Sequence, residues 1–228
     1  MEAELIIEGI YMVGGPDISY PEDATVFIVD CRGKLLMIDC GAGNSASLLI
    51  DNIKETGLDP RSISTLILTH SHVDHIGAVQ YFREKYHCKV VAHDRDADAI
   101  EKGDPKRTAA GWYGVKLPQT TVDLRLKAEH EMLTIGNQEV HCLHTPGHTP
   151  GSIAVYLDRA GQRVLFGQDI HGPFHPEFGS DIGDWRESME MLIALKADIL
   201  CEGHFGIYSP QAKVERYIRG YIDRHAAQ

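Results

Sequence analysis

Thr69-His70-Ser71-His72-Val73-Asp74-His75 is the stretch on which the reading of this chain turns. The residues leading into it, from Ile63 to Thr69, form a short β-branched run that predicts a buried strand. The apolar residues following it, from Ile76 to Tyr86, recur with helical spacing. On extended backbone, His70 and His72 point to the same side because they are two residues apart. Asp74 and His75 fall at the turn into the helix, where the bending chain can aim two more side chains inward. Buried imidazoles and carboxylates cost free energy unless they are paired, so core packing explains such a cluster poorly. A solvated loop would carry them at no cost, but a strand end running into a buried helix is not such a loop. The cluster therefore points to bound metal.

Three further segments supply potential ligands, each at the end of a predicted strand. They are His148 in Thr145-Pro146-Gly147-His148-Thr149-Pro150-Gly151-Ser152, Asp169 in Phe166-Gly167-Gln168-Asp169, and His204 in Cys201-Glu202-Gly203-His204. Each alone is weak, since a single histidine beside glycine is more often a surface or structural residue than a ligand. Their occurrence together with the His-x-His-x-Asp-His run gives them weight.

Working outward, Thr25 to Val29 and Lys34 to Ile38 flank Cys31-Arg32-Gly33 as a hairpin. Asp39-Cys40-Gly41-Ala42-Gly43-Asn44 ends that second strand, and Ser45 or Ser47 can cap a helix that runs to about Glu55 before Gly57 stops it. Lys89 to Ala92 reads as a strand and Asp94 to Lys102 as a short helix, after which Gly111 to Thr121 is irregular. Val122 to Leu126, Glu131 to Ile135, Glu139 to His144, Ile153 to Leu157 and Val164 to Phe166 read as strands. A long loop occupies His171 to Gly183. A helix over Asp184 to Leu195, a strand over Ile199 to Cys201 and a terminal helix over Pro210 to Arg224 complete the chain. This order predicts an α/β (α+β) fold of two sheets covered outside by helices. No repeat or linker interrupts it, so a single domain over residues 1–228 is expected.

Composition excludes several classes of function. The 228 residues carry a formal charge of −11, and an acidic chain repels a phosphate backbone, so no nucleic-acid partner is expected. Met1 to Glu8 lacks the basic-then-apolar layout of a signal peptide. No apolar stretch approaches the roughly 18 residues of a membrane span, so no membrane partner is expected either. A cytoplasmic protein acting on a small molecule is the expectation, with a homodimer left open. Cys31, Cys40, Cys88, Cys142 and Cys201 are odd in number and widely spaced, and read as buried small hydrophobes. The thirteen histidines, several of them clustered, point instead to metal or acid–base chemistry.

The order HSHVDH, PGHTPGS, GQD and EGH, preceded by Met37-Ile38-Asp39-Cys40-Gly41, resembles the metallo-β-lactamase-fold hydrolases and especially their glyoxalase II-like branch. The resemblance runs from Val26 to His204. It implies a four-layer αββα sandwich with the site at one edge, between the sheets. It also implies one metal on His70, His72 and His148, a second on Asp74, His75 and His204, and Asp169 bridging both with a water or hydroxide between them. Asp39 matches a family position that supports the site from behind the ligands. Such donors accommodate zinc, iron or manganese, and ligand type alone does not choose among them; two divalent ions are expected, zinc first and iron or manganese as alternatives. The implied reaction is hydrolysis of a thioester, ester or lactone, with Asp74 also able to steer the attacking hydroxide. Antibiotic-degrading members lack the bridging Asp, and lactonases place a tyrosine where this chain has Gly172. Persulfide dioxygenases also resemble this pattern, with a single iron on the positions of His70, His148 and Asp169, which makes an iron oxidoreductase the alternative.

For the pocket above the centre, His171, Phe174, His175 and Phe178 sit in the long loop after Asp169, where a lid or substrate wall is expected. Trp112 and Tyr113 are expected to line the opposite side or a subunit contact. His171 reads equally as a proton donor to the leaving group and as a loop histidine packed beside the site. Tyr208 is a weaker candidate. His87, His93, His130, His141, His144 and His225 are read as structural or surface residues.

Overall fold

The fold comes from a computed structural model that describes residues 3–225. The N-terminal half is β1 (Glu4–Ile7), β2 (Ile10–Gly14), β3 (Val26–Asp30), β4 (Leu35–Ile38), α1 (Ala46–Glu55), β5 (Ile63–Ile67), α2 (Val73–Ile76), α3 (Val79–Tyr86), β6 (Lys89–His93), α4 (Asp94–Lys102), α5 (Ala110–Tyr113) and β7 (Leu124–Leu126). Then follow β8 (His130–Ile135), β9 (Gln138–His144), β10 (Ile153–Arg159), β11 (Gln162–Gln168), α6 (Ile182–Ala194), β12 (Ile199–Glu202), β13 (Ile207–Tyr208) and α7 (Gln211–His225).

Strands β1 to β7 form one sheet in sequence order, and the other runs β13-β12-β11-β10-β9-β8. Side-chain alternation along the strands explains why the sheets stack and why both are covered. In β3, Phe27 and Val29 face the second sheet, while Val26 and Ile28 face the helices. Between the sheets, Phe27 packs on Phe166 with ring centroids 5.1 Å apart, among Leu36, Ile67, Val155 and Cys201. The outer face of the first sheet is sealed by Leu49 and Ile53 of α1, Phe82 of α3 and Ile100 of α4. Trp185, Met189 and Leu192 of α6 and Ile218 of α7 seal the second. Strands apolar on both faces read as continuous runs, which is why β3, β4 and β5 stand out in the sequence. The result is the expected four-layer sandwich of two mixed sheets between helices.

The helix expected from Ile76 to Tyr86 is instead two, because α2 ends before Gly77 and α3 begins at Val79. Gly77 lies against the Gly41–Gly43 turn so closely that a Cβ there would meet the Ala42 carbonyl carbon at 2.1 Å. That contact bends the chain away from a continuous helix. The stretch expected to be irregular from Gly111 contains the short helix α5, and the short edge strands β1 and β13 complete the sheets. Among the described residues, no helix is long and apolar enough to cross a membrane.

Candidate metal centre

Strand ends converge at one edge of the sandwich. The end of β4 carries Asp39, and β5 leads into His70 and His72, while α2 holds Asp74 and His75. The β9–β10 connection carries His148, and Asp169 and His204 follow β11 and β12. Ligand atoms of His70, His72, His148 and Asp169 all lie within 4.8 Å of one another, as do those of Asp74, His75 and His204. Asp169 faces both groups. Its Oδ2 is 3.4 Å from His148 Nε2 and 3.9 Å from His70 Nε2, and its Oδ1 is 3.2 Å from His75 Nε2 and 3.4 Å from His204 Nε2. The structure thus brings together all seven residues singled out in the sequence.

Hydrogen bonds behind the rings fix which nitrogen faces inward. His75 Nδ1 donates to Asp39 Oδ2 at 2.7 Å, because a carboxylate can only accept, and this turns Nε2 into the centre. His148 Nδ1 donates to the Pro173 carbonyl at 2.8 Å, with the same consequence. The Thr69 hydroxyl donates to Asp39 Oδ2 at 2.7 Å, so it is free to accept from His70 Nδ1 at 3.3 Å. His72 is the exception, presenting Nδ1 at 2.9 Å from His148 Nε2. Asp39 takes a positive φ of 57°, an uncommon backbone setting outside glycine, and also accepts from Thr69 N at 2.8 Å. One buried carboxylate therefore orients ligands from both triads.

The inward-facing donor atoms themselves call for a cation. Among the described residues, His70 Nε2, His75 Nε2 and Asp169 Oδ1 are buried without a hydrogen-bond partner. The last two are 3.2 Å apart, and with the proton of a neutral His75 ring on Nδ1 they face each other lone pair to lone pair. Inward-facing polar atoms left unpaired are costly in a finished core, and a cation between them removes that cost. Electrostatics agrees. Burial pushes His72 and His148 down to about 3, so their rings are neutral and suited to bind a metal. Burial also opposes charge on His204, yet Asp169 and Asp74 outweigh it and raise the ring to about 10. His75 behaves likewise under Asp169, Asp39 and Asp74. In the metal-free chain, protons supply positive charge that the carboxylates of the second group demand. Imidazole and carboxylate donors of this kind fit zinc, iron or manganese.

Two acidic residues that the sequence reading passed over hold the ligand loops. Asp96 of α4 is fully buried and accepts from Ser71 N, Thr149 Oγ1, Gly151 N and Arg107 Nη2, at 3.0, 2.6, 3.0 and 3.2 Å. It thereby ties the His70–His72 segment to the His148 loop. Glu202, also fully buried, accepts from His204 N, Phe205 N and His171 Nδ1 at 2.7, 2.9 and 3.0 Å. The only local sign was their type: a carboxylate within a short helix, and one beside a Gly-His pair.

The pocket candidates separate. A ring nitrogen of His171 lies within 4.8 Å of ligand atoms on Asp169 and His204. Phe178 is buried, with its ring 4.3 Å from that of His72, and Trp112 covers it at 4.7 Å. His175 packs edge-on to Trp112 at 4.9 Å. Tyr113 is 44% exposed, and the partial burial of its ring first, then Asp74, Asp169 and Glu22, push its phenol up to about 12. Phe174 packs against Trp185 and His225, each 5.2 Å or less away, within the α6–α7 cluster. Tyr208 stacks on Tyr217 at 4.0 Å.

Comparison with known proteins agrees with this geometry. The chain is 31% identical over 141 residues to the probable metallo-hydrolase YqgX of Bacillus subtilis, covering 61% of this chain and 63% of that protein, just under two thirds of its length. It is 27% identical over 229 residues to the acyl-coenzyme A thioesterase MBLAC2 of Gallus gallus, covering 88% of this chain and 79% of that one. In fold it is similar to a metallo-beta-lactamase of Cronobacter sakazakii, with a TM-score of 0.84 at 20% identity over 100% of this chain and 95% of that one. The sequence profile of the metallo-beta-lactamase superfamily matches residues 20–204. With the profile spanning most of its length and the ligand-bearing strand ends falling inside it, the chain belongs to the metallo-beta-lactamase superfamily.

Proposed function

We propose that this protein is a dinuclear metal-dependent hydrolase that cleaves a thioester, ester or lactone of a small molecule. The carrying observation is Asp169, whose two oxygens face separate ligand groups, His70 and His148 on one side and His75 and His204 on the other. In this reading His70, His72 and His148 would hold one ion and Asp74, His75 and His204 the other, with Asp169 shared between them. Two such ions, when bound, would supply a water that ionises near neutral pH and a Lewis acid for the scissile carbonyl. Asp74, whose Oδ2 is 3.3 Å from His204 Nε2, would accept a proton from the attacking water and orient it. Glu202 holds the proton on His171 Nδ1, which leaves the other ring nitrogen to exchange a proton with the leaving group. Asp39 holds the ring of His75 and the Thr69–His70 backbone rigid throughout. The relative named as an acyl-coenzyme A thioesterase supports acyl transfer to water as the class of reaction. The full second triad favours two ions over the single iron of a persulfide dioxygenase.

The test is a screen of the zinc-loaded and iron-loaded protein against aryl thioesters, aryl esters and lactones, with oxygen uptake on glutathione persulfide followed in parallel. Hydrolysis without oxygen uptake is the expected result. Oxygen uptake on the persulfide with no hydrolysis would replace the hydrolase by the dioxygenase.

A further inference from the structure

Two histidines on the second sheet take no part in the centre at the sandwich edge. Leu133, Ile135, Val140 and Cys142 point into the core between the sheets. The residues alternating with them, His130 and Met132 on β8 and Glu139 and His141 on β9, therefore lie on the outer face. His141 pairs across from Met132, which makes His130 its diagonal neighbour. His130 Nε2 and His141 Nδ1 stand 3.0 Å apart.

The His141 ring is held in place from behind. Tyr156 of β10 stacks on it with centroids 4.5 Å apart and planes within 7°. Arg163, from the strand on the other side of Tyr156, sets its guanidinium 4.9 Å from that phenol ring, and Asp158 holds the guanidinium at 2.9 and 3.0 Å. A ligand ring already fixed by packing gives up little freedom when an ion binds. His130 is exposed and His141 half-buried, so ions and water reach both. Burial first, then His130, lowers the titration of His141, so this ring is neutral at neutral pH and able to bind a metal. Glu139 and Asp158 act on the same ring with negative charge, which favours a cation beside it.

The spacing selects a geometry. With metal–nitrogen bonds of about 2.0–2.1 Å, two nitrogens this close subtend roughly 90° at a shared ion. That is the angle between neighbouring ligands in a square plane, the arrangement of copper(II) and nickel(II), and it is narrower than the tetrahedral angle of zinc. Without an ion, one proton lies between the two nitrogens. An ion takes its place when that ring carries its proton on the outward nitrogen instead.

We propose that His130 Nε2 and His141 Nδ1 form a surface site for one copper(II) or nickel(II) ion, separate from the centre around Asp169. Water fills the remaining positions of the square plane. The site does not depend on the hydrolase reading.

Copper(II) added to the zinc-loaded, untagged protein tests it, with bound copper read by electron paramagnetic resonance and zinc content measured alongside. One copper per chain is expected, with an axial spectrum split by imidazole nitrogen and no zinc released. Losing a ligand costs no less than losing the group that orients one, so copper affinity falls about tenfold or more in H130A and in H141A. D169A, which alters the other centre, keeps the copper signal. Circular dichroism checks that H141A folds, and H130A, at an exposed position, carries the test if it does not. Failure to bind copper, equal affinity in the unaltered chain and H130A, or copper taken up only as zinc leaves overturns the inference.

Discussion

Nδ1 of His75 and Nδ1 of His148 each hold a proton against a fixed acceptor, and from this the inward direction of Nε2 follows. Asp39 is the strongest of these acceptors, because it also holds Thr69 through two hydrogen bonds. Replacing it by alanine leaves all seven inward-facing groups in place but frees the His75 ring. Zinc affinity should fall about 10–100-fold in D39A, read by competition with a chromogenic chelator. The titration of the buried rings gives a second prediction at this scale. His72 and His148 titrate near 3 in the folded chain, well below the ordinary 6.5. The unfolded chain therefore binds more protons between those values, and stability falls as pH falls from 6.5 toward 3. His204, raised to about 10, acts in the opposite sense: its contribution is full below pH 6.5 and is lost as pH rises toward 10. Urea unfolding of the metal-free chain should accordingly be most stable near pH 6.5 to 7 and lose stability on either side. The ligands themselves were legible in the sequence because four of them sit in one short run whose residue types suit no core. Asp96 and Glu202 were not, since a lone carboxylate in a charged segment such as Asp94-Arg95-Asp96-Ala97-Asp98 looks the same whether it faces water or a buried backbone.

Elements place these residues by loops tied to one another rather than by the strands alone. Asp96 joins the segment after β5 to the loop between β9 and β10, so one carboxylate couples ligands far apart in sequence. Its removal strands two backbone N–H groups, a hydroxyl and a guanidinium. D96A should destabilise the metal-free protein by about 3–5 kcal/mol in urea unfolding. It should also weaken zinc binding although Asp96 touches neither ligand group, and D96N should recover part of both losses. Close backbone approach sets the rest. A Cβ at Gly203 would come within 2.3 Å of Asp169 Oδ1, so only glycine lets β12 deliver His204 beside the shared carboxylate. Strands buried on both faces and the α4 helix were legible from periodicity. The break between α2 and α3 was not, because its cause is contact of Gly77 with Ala42, which no local pattern encodes. The edge strands β1 and β13 escape for a related reason, being short and half-exposed with little alternation to read.

At the scale of the molecule, two sheets bury Phe27, Phe166 and their neighbours between them, and the centre sits where strand ends leave that core. The order of strands and helices made the layering legible, whereas the pairing of β11 with β12 and the meeting of loops from both halves depend on long-range packing. Such a frame places two ligand groups on opposite sides of one carboxylate before any ion arrives. Filling both groups should couple the sheets more tightly, because an ion bound only by the folded chain stabilises it by mass action. A dinuclear centre requires that the frame accept two ions. Calorimetric titration of the chelator-stripped, folded chain with zinc measures that number directly. Two equivalents per chain are predicted, falling to one or fewer when Asp169 is replaced by alanine. Saturation at a single equivalent in the unaltered chain would contradict the dinuclear centre.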